Sequence, residues 1–140
     1  MTTEKTFDDI AVGEEIGHKE YLVDEKAIED FVEYCQWDSE RFPVEGPFAP
    51  PGFSVTYHAR MLAEKMGGPG VRVWLKSEHE YFQPIRVGSK IIKKGKVTDK
   101  YTKRGRDYLV YEIETFDEEG TLLFRSRETL LMNILRREES

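Results

Sequence analysis

Asp38 opens the stretch "DSERFPVEGPFAPPGF" (residues 38–53), and an apolar run at helical spacing, "FSVTYHARMLAEKM", follows it from Phe53. A carboxylate is one of the few side chains able to take or give a proton near neutral pH. Pro43, Pro47, Pro50 and Pro51 stiffen the chain between that carboxylate and the helix N-terminus. Two readings stay open at this point. Asp38 is either an ordinary cap or turn residue, or part of the wall of a site.

A second chemical feature is the basic segment "RVGSKIIKKGKVTDKYTKRGR" (86–106), set in a chain whose net charge is -6. It reads either as the solvated faces of alternating strands or as a docking patch for an anionic carrier such as a phosphopantetheine thioester. The overall acidity argues against nucleic acid, which needs a basic surface. The segment brings no cationic amphipathic helix, which argues against a membrane surface.

The elements that must position these groups are visible in the pattern. A short strand is expected through Glu20–Val23, and Asp24 is expected to cap a helix carrying Ile28, Phe31, Val32 and Cys35 on one stripe. Residues 36–51 have no periodicity and read as a loop. A second helix is expected to begin about Gly52–Ser54, with Val55, Ala59, Leu62 and Met66 on its apolar face. Tyr57, His58 and Met61 widen that face, so other structure should wrap the helix. "GGPG" (67–70) stops it. Beyond it, four runs rich in Val, Ile, Tyr, Phe and Thr are separated by "VGS", "KRGR" and "DEEG". They read as antiparallel strands. Within 108–115, Leu109, Tyr111, Ile113 and Thr115 alternate against Tyr108, Val110, Glu112 and Glu114. The fold class is therefore α+β, with a long central helix wrapped by a curved antiparallel sheet. The 140 residues are read as a single domain (1–140). Cys35 is the only cysteine, which excludes an intrachain disulfide or a thiolate metal cluster. No apolar signal segment or run of about 18 apolar residues is present, so a cytoplasmic address is expected.

Five stretches in order resemble the MaoC-like dehydratases and hydratases of the hotdog fold. "TFDDIAVGEEI" is similar to the family's opening, and "VDEKAIEDFVEYCQWDSE" to the short helix that delivers its aspartate. "FAPPGFSVTYHARML" resembles the Ala-Pro-Pro-x-Phe start of the long helix. "YFQPIRVGSKI" resembles the family's Phe-x-x-Pro-Val-x-x-Gly-Asp corner, with Ser89 where an Asp is usual, and "VTDKYTKRGRDYLVYEIETFDEEGTLLFRSRETLLM" resembles the closing hairpins.

The resemblance implies acyl thioesters of coenzyme A or a carrier protein as substrates, with no cofactor beyond that carrier and no metal. It implies reversible addition of water to a 2-enoyl double bond. The family's aspartate falls on Asp38, and its oxyanion donor on the amide of Gly52 or Phe53, beside Pro51. Its histidine, five residues after the aspartate, is replaced by Pro43. Proline cannot shuttle a proton, so the acid–base pair is broken. Glu40, Glu45, His58 or His79 could supply the second group. Alternatively, the chain is a catalytically incomplete subunit that binds acyl thioesters and borrows the pair from a partner, or a hotdog interaction domain with no thioester site. The basic residues Lys93, Lys94, Lys103 and Arg104 are expected near the nucleotide end of the carrier. A homodimer, or a heterodimer with a related hotdog subunit, is expected from the open sheet edge.

Overall fold

The computed structural model describes residues 5–38, 40, 46–67 and 72–132. Five strands, β1 (Glu15–Leu22), β2 (Val73–Tyr81), β3 (Lys90–Lys103), β4 (Arg106–Phe116) and β5 (Leu122–Met132), form one sheet in the order β1-β3-β4-β5-β2. Every neighbouring pair is antiparallel. Helix α1 (Glu25–Tyr34) follows β1, and helix α2 (His58–Met66) lies against the sheet. This is the hotdog arrangement.

The strand alternation holds where one face is packed. On β4 the side chains of Leu109, Tyr111, Ile113 and Thr115 are all completely buried. The first three meet Met61, Leu62 and Met66 of α2 and Leu130 of β5 in one apolar cluster. Each fully buried apolar side chain of this size contributes about 1.5–3 kcal/mol. A second cluster gathers Val23, Phe53, Ile85, Ile91, Leu123 and Phe124 near the other end of the sheet. The turns are those the sequence calls for. Arg104 and Gly105, with φ of 52 and 77, make the two-residue connection between β3 and β4. Asp117 Oδ1 accepts from the amides of Glu119 and Thr121 in the β4–β5 turn.

Helix α1 starts as expected, with the Asp24 side chain accepting from Ala27 N–H at 2.9 Å. Its apolar stripe is only partly buried, and Cys35 is exposed. The first strand is longer than expected, because pairing with β3 extends it back to Glu15.

The second helix differs from the expectation of one continuous element. Pro51–Val55 forms a 3-10 turn, Thr56 is extended (φ -60, ψ 141), Tyr57 takes a left-handed φ of 83, and α2 begins only at His58. A left-handed backbone costs a non-glycine residue about 1–2 kcal/mol. Packing holds it in place: the Tyr57 ring stacks on Tyr21 at 3.9 Å and meets Phe53 edge-on at 6.0 Å.

Strand β2 is an edge strand with all nine residues exposed, among them Trp74, Leu75 and Tyr81. No helix among the described residues is long and apolar enough to cross a membrane.

Candidate functional site

Phe31, on the last turn of α1, is the point where the two halves of the candidate site meet. Its ring lies 6.5 Å from that of Trp37, which precedes Asp38, and 5.7 Å from that of Phe53. A β-carbon placed on Gly52 would sit 3.5 Å from Phe31 Cζ. Phe53 is buried, so it anchors the 3-10 turn in the second apolar cluster. One aromatic side chain thus brings the segment ending in Asp38 beside the turn that starts the central helix.

At that turn the Phe53 N–H already donates to Pro50 O at 2.9 Å. This removes Phe53 from the two expected oxyanion donors and leaves the Gly52 amide. Pro51 has no N–H and occupies the first position of the turn. Asp38 and Glu40 are exposed. Pro43 and Glu45 lie outside the described residues.

His58 does not join them. It is completely buried at the start of α2, in a polar cluster between the two apolar ones. Its Nε2 lies 2.9 Å from Lys93 Nζ, and its Nδ1 lies 3.2 Å from Ser126 Oγ and 3.4 Å from Glu128 Oε2. The lysine ammonium only donates, so while Lys93 is protonated Nε2 must accept, and the neutral ring carries its proton on Nδ1, toward Glu128. Burial pulls His58 down to about 4, and Lys93 pushes the same way, against the Glu128 carboxylate. This imidazole is neutral and spent on its neighbours. The role of second acid–base group, considered for it from the sequence, does not suit that setting.

Lys93 is corrected more sharply. Expected among surface residues near a nucleotide, it is completely buried. Its Nζ donates to Ser54 O at 2.8 Å and to Thr115 Oγ1 at 2.7 Å as well as to His58. Burial lowers it to about 7, opposed by the nearby Glu128 charge. For Glu128, burial works to raise the carboxyl, but hydrogen bonds from His58, Tyr111 and Ser126 prevail and hold it below the ordinary value. Its Oε1 finds no hydrogen-bond partner among the described residues. The Tyr111 hydroxyl accepts from Trp74 Nε1 at 2.8 Å, and its own ionisation is pushed up by burial and by the Glu128 charge.

The remaining basic candidates do not make one patch. Lys94 is exposed, pairs in register with Glu114 and sits over the Phe116 ring at 5.3 Å. Lys103 and Arg104 lie at the hairpin tip. Lys94 and Lys103 lie nine positions apart along β3, roughly 30 Å at ~3.3 Å per residue. His79, on the exposed edge strand, lies 2.7 Å from Ser77 Oγ through its Nε2. Among the described residues no group of His, Cys, Asp and Glu is arranged to hold a metal ion.

The buried cluster was the part of the site that charge class concealed. Lys93 shares strand parity with Ile91 and Val97, and Glu128 with Phe124 and Leu130. Parity was the available signal.

No family model matches the sequence, and no curated protein matches it either. Solved structures do match in three dimensions. A MaoC-like dehydratase from Rhodospirillum rubrum superposes with a TM-score of 0.70 at 19% identity, covering 94% of this chain and 97% of that one. The (R)-hydratase from A. caviae involved in PHA biosynthesis gives 0.70 at 13% identity, covering 88% and 97%. The HadBC (3R-hydroxyacyl-ACP dehydratase) complex from Mycobacterium tuberculosis gives 0.63 at 14% identity, covering 86% and 98%. At these identities the likeness is one of fold. The chain has the hotdog fold seen in MaoC-like dehydratases and (R)-hydratases.

Proposed function

We propose that this chain binds acyl thioesters as a hotdog subunit of the hydratase or dehydratase kind, and that a partner chain supplies the histidine it lacks. In such a reaction water adds its oxygen to the β-carbon of a 2-enoyl thioester while the α-carbon gains a proton. Negative charge gathers on the thioester oxygen. Asp38 would serve as the acid–base carboxylate, and the Gly52 amide would stabilise the oxyanion. The observation that carries the reading is the meeting of the Asp38 segment and the Gly52 turn around Phe31. Pro43 in place of the family's histidine, with His58 committed inside the buried cluster, supports the dependence on a partner.

Strand β2 supports association. It is an unpaired edge carrying exposed Trp74, Leu75 and Tyr81, and such an edge readily takes a further strand. The partner would be a second hotdog chain, a copy of this one or a related subunit. The exposed Lys94, or Lys103 with Arg104, would be the contacts for carrier phosphates.

A second reading is favoured by the retention of two exposed carboxylates, Asp38 and Glu40, on one segment. It takes the chain as an enzyme complete in itself. The assay mixes the purified protein with a short 2-enoyl-CoA, following loss of the conjugated double bond by absorbance and binding by calorimetry. Saturable binding without turnover is the expected result. Turnover that Asp38→Asn abolishes would establish the second reading. Absence of binding would overturn both in favour of a plain interaction domain.

A further inference from the structure

The interruption of the central helix leaves a carbonyl that Lys93 satisfies. In a continuous α-helix the Ser54 C=O would accept from the His58 N–H four residues on. The extended Thr56 and left-handed Tyr57 turn the chain out of that ladder, and α2 takes up with Met61 N–H donating to Tyr57 O. Ser54 O receives Lys93 Nζ instead, at 2.8 Å. The same nitrogen reaches across the break to His58 Nε2 at 2.9 Å, on the first residue of α2, and to Thr115 Oγ1 at 2.7 Å on β4. An ammonium has three protons, and here there are three acceptors in a site closed to solvent.

We propose that Lys93 is a positioning residue for thioester binding: its ammonium pins the Pro51–Val55 turn to the start of α2 and so fixes the Gly52 amide. The inference rests on the reading of the Gly52 turn as the thioester site. It adds a control on that site from a residue that substrate does not touch.

The surroundings of Lys93 make its charge the variable. The turn contributes the Ser54 carbonyl, and α2 contributes the neutral His58 and, farther along, Glu64. Glu64 pairs at 3.4 Å with Lys19 of β1, the residue opposite Lys93 in register. From β4 come Thr115 and Tyr111, and from β5 come Ser126, the Glu128 carboxylate and the Phe124 ring at 5.8 Å. His79 of β2 acts on the cluster through His58. Glu128 is the carboxylate whose charge supports the ammonium, against the burial that lowers it to about 7. Once deprotonated, the amine has two protons for three acceptors, so one side of the break loses its tie. If only the pinned form binds, apparent affinity falls about tenfold between pH 6 and pH 8.

The test titrates wild type and Lys93→Met with a 2-enoyl pantetheine thioester, which has no titrating phosphate, at pH 6, 7 and 8 by calorimetry. In parallel, the ligand-free backbone amides of residues 54–58 are followed by 15N NMR over the same range. The expected result is a tenfold rise in wild-type Kd, a flat and weaker profile in Lys93→Met, and turn amides that shift with one midpoint near 7 in wild type only. A flat wild-type Kd, or a Lys93→Met profile with the wild-type slope, overturns the positioning role while leaving the thioester reading intact. No binding at any pH overturns the thioester reading and the positioning role with it. The amide titration then still decides whether Lys93 pins the turn, and it needs no variant should Lys93→Met fail to fold.

Discussion

Raising the pH from 7 to 9 should stabilise the fold by about 2 kcal/mol through Lys93 alone. An unfolded lysine keeps its proton up to its ordinary value of 10.5, whereas buried Lys93 releases it at about 7. A folded-state value depressed below the unfolded one means that the unfolded chain binds more protons throughout that window. Stability therefore rises with pH across it. At pH 7 the folded lysine is about half protonated and the unfolded one almost fully so. By pH 9 the folded one is bare while the unfolded one has barely begun to titrate, and the integrated difference gives the figure above. For a chain of this length it corresponds to an increase of roughly 7 °C in Tm. Urea denaturation at pH 7 and pH 9, at constant ionic strength and read by tryptophan fluorescence, measures the difference, and Lys93→Met should show none of it. An unchanged or falling midpoint in wild type, or an equal rise in the variant, would refute the burial argument. The sign is distinctive. Global stability should climb over the same pH range in which thioester affinity drops.

On the acid side, His58 is held at about 4 against an ordinary 6.5, so its contribution, about 3 kcal/mol between pH 7 and 4, is lost as pH falls. Glu128, lowered, loses its share in the same direction. An acid denaturation midpoint that moves down in His58→Gln would check this, whereas one that is unaffected would contradict it. Gly95 has no room for a side chain, since a β-carbon there would lie 3.0 Å from Ile113 Cγ1 and 3.1 Å from Ile16 Cβ. Gly95→Val should cost about 1–3 kcal/mol or more in chemical denaturation. Asp24→Ala removes the α1 cap and should cost about 1 kcal/mol, loosening the helix that carries Phe31 and hence the Asp38 segment.

Much of the frame was legible in the residues because it depends on local rules. Asp24 announced its helix, the "DEEG" turn its hairpin, and the alternation over 108–115 the inward face of β4. The broken central helix was not legible. A left-handed tyrosine has no sequence signature, and the stacking of Tyr21 on Tyr57 joins residues far apart in the chain. The buried cluster was missed for a related reason. Lys93 was grouped with Lys94 by charge, although adjacent strand residues face opposite ways and only Lys94 is exposed. Its partners come from the turn, α2, β4 and β5, which no spacing rule links. At the candidate site, the candidates Asp38 and Gly52 could be named from the resemblance, but their approach through Phe31 required the fold.

The most direct test of the thioester site is the Gly52 amide itself. In 15N NMR its proton should move downfield and saturate as a 2-enoyl-CoA is added, and free coenzyme A at the same concentration should leave it in place. A ligand that binds while Gly52 stays still, or an equal shift with free coenzyme A, would contradict the account.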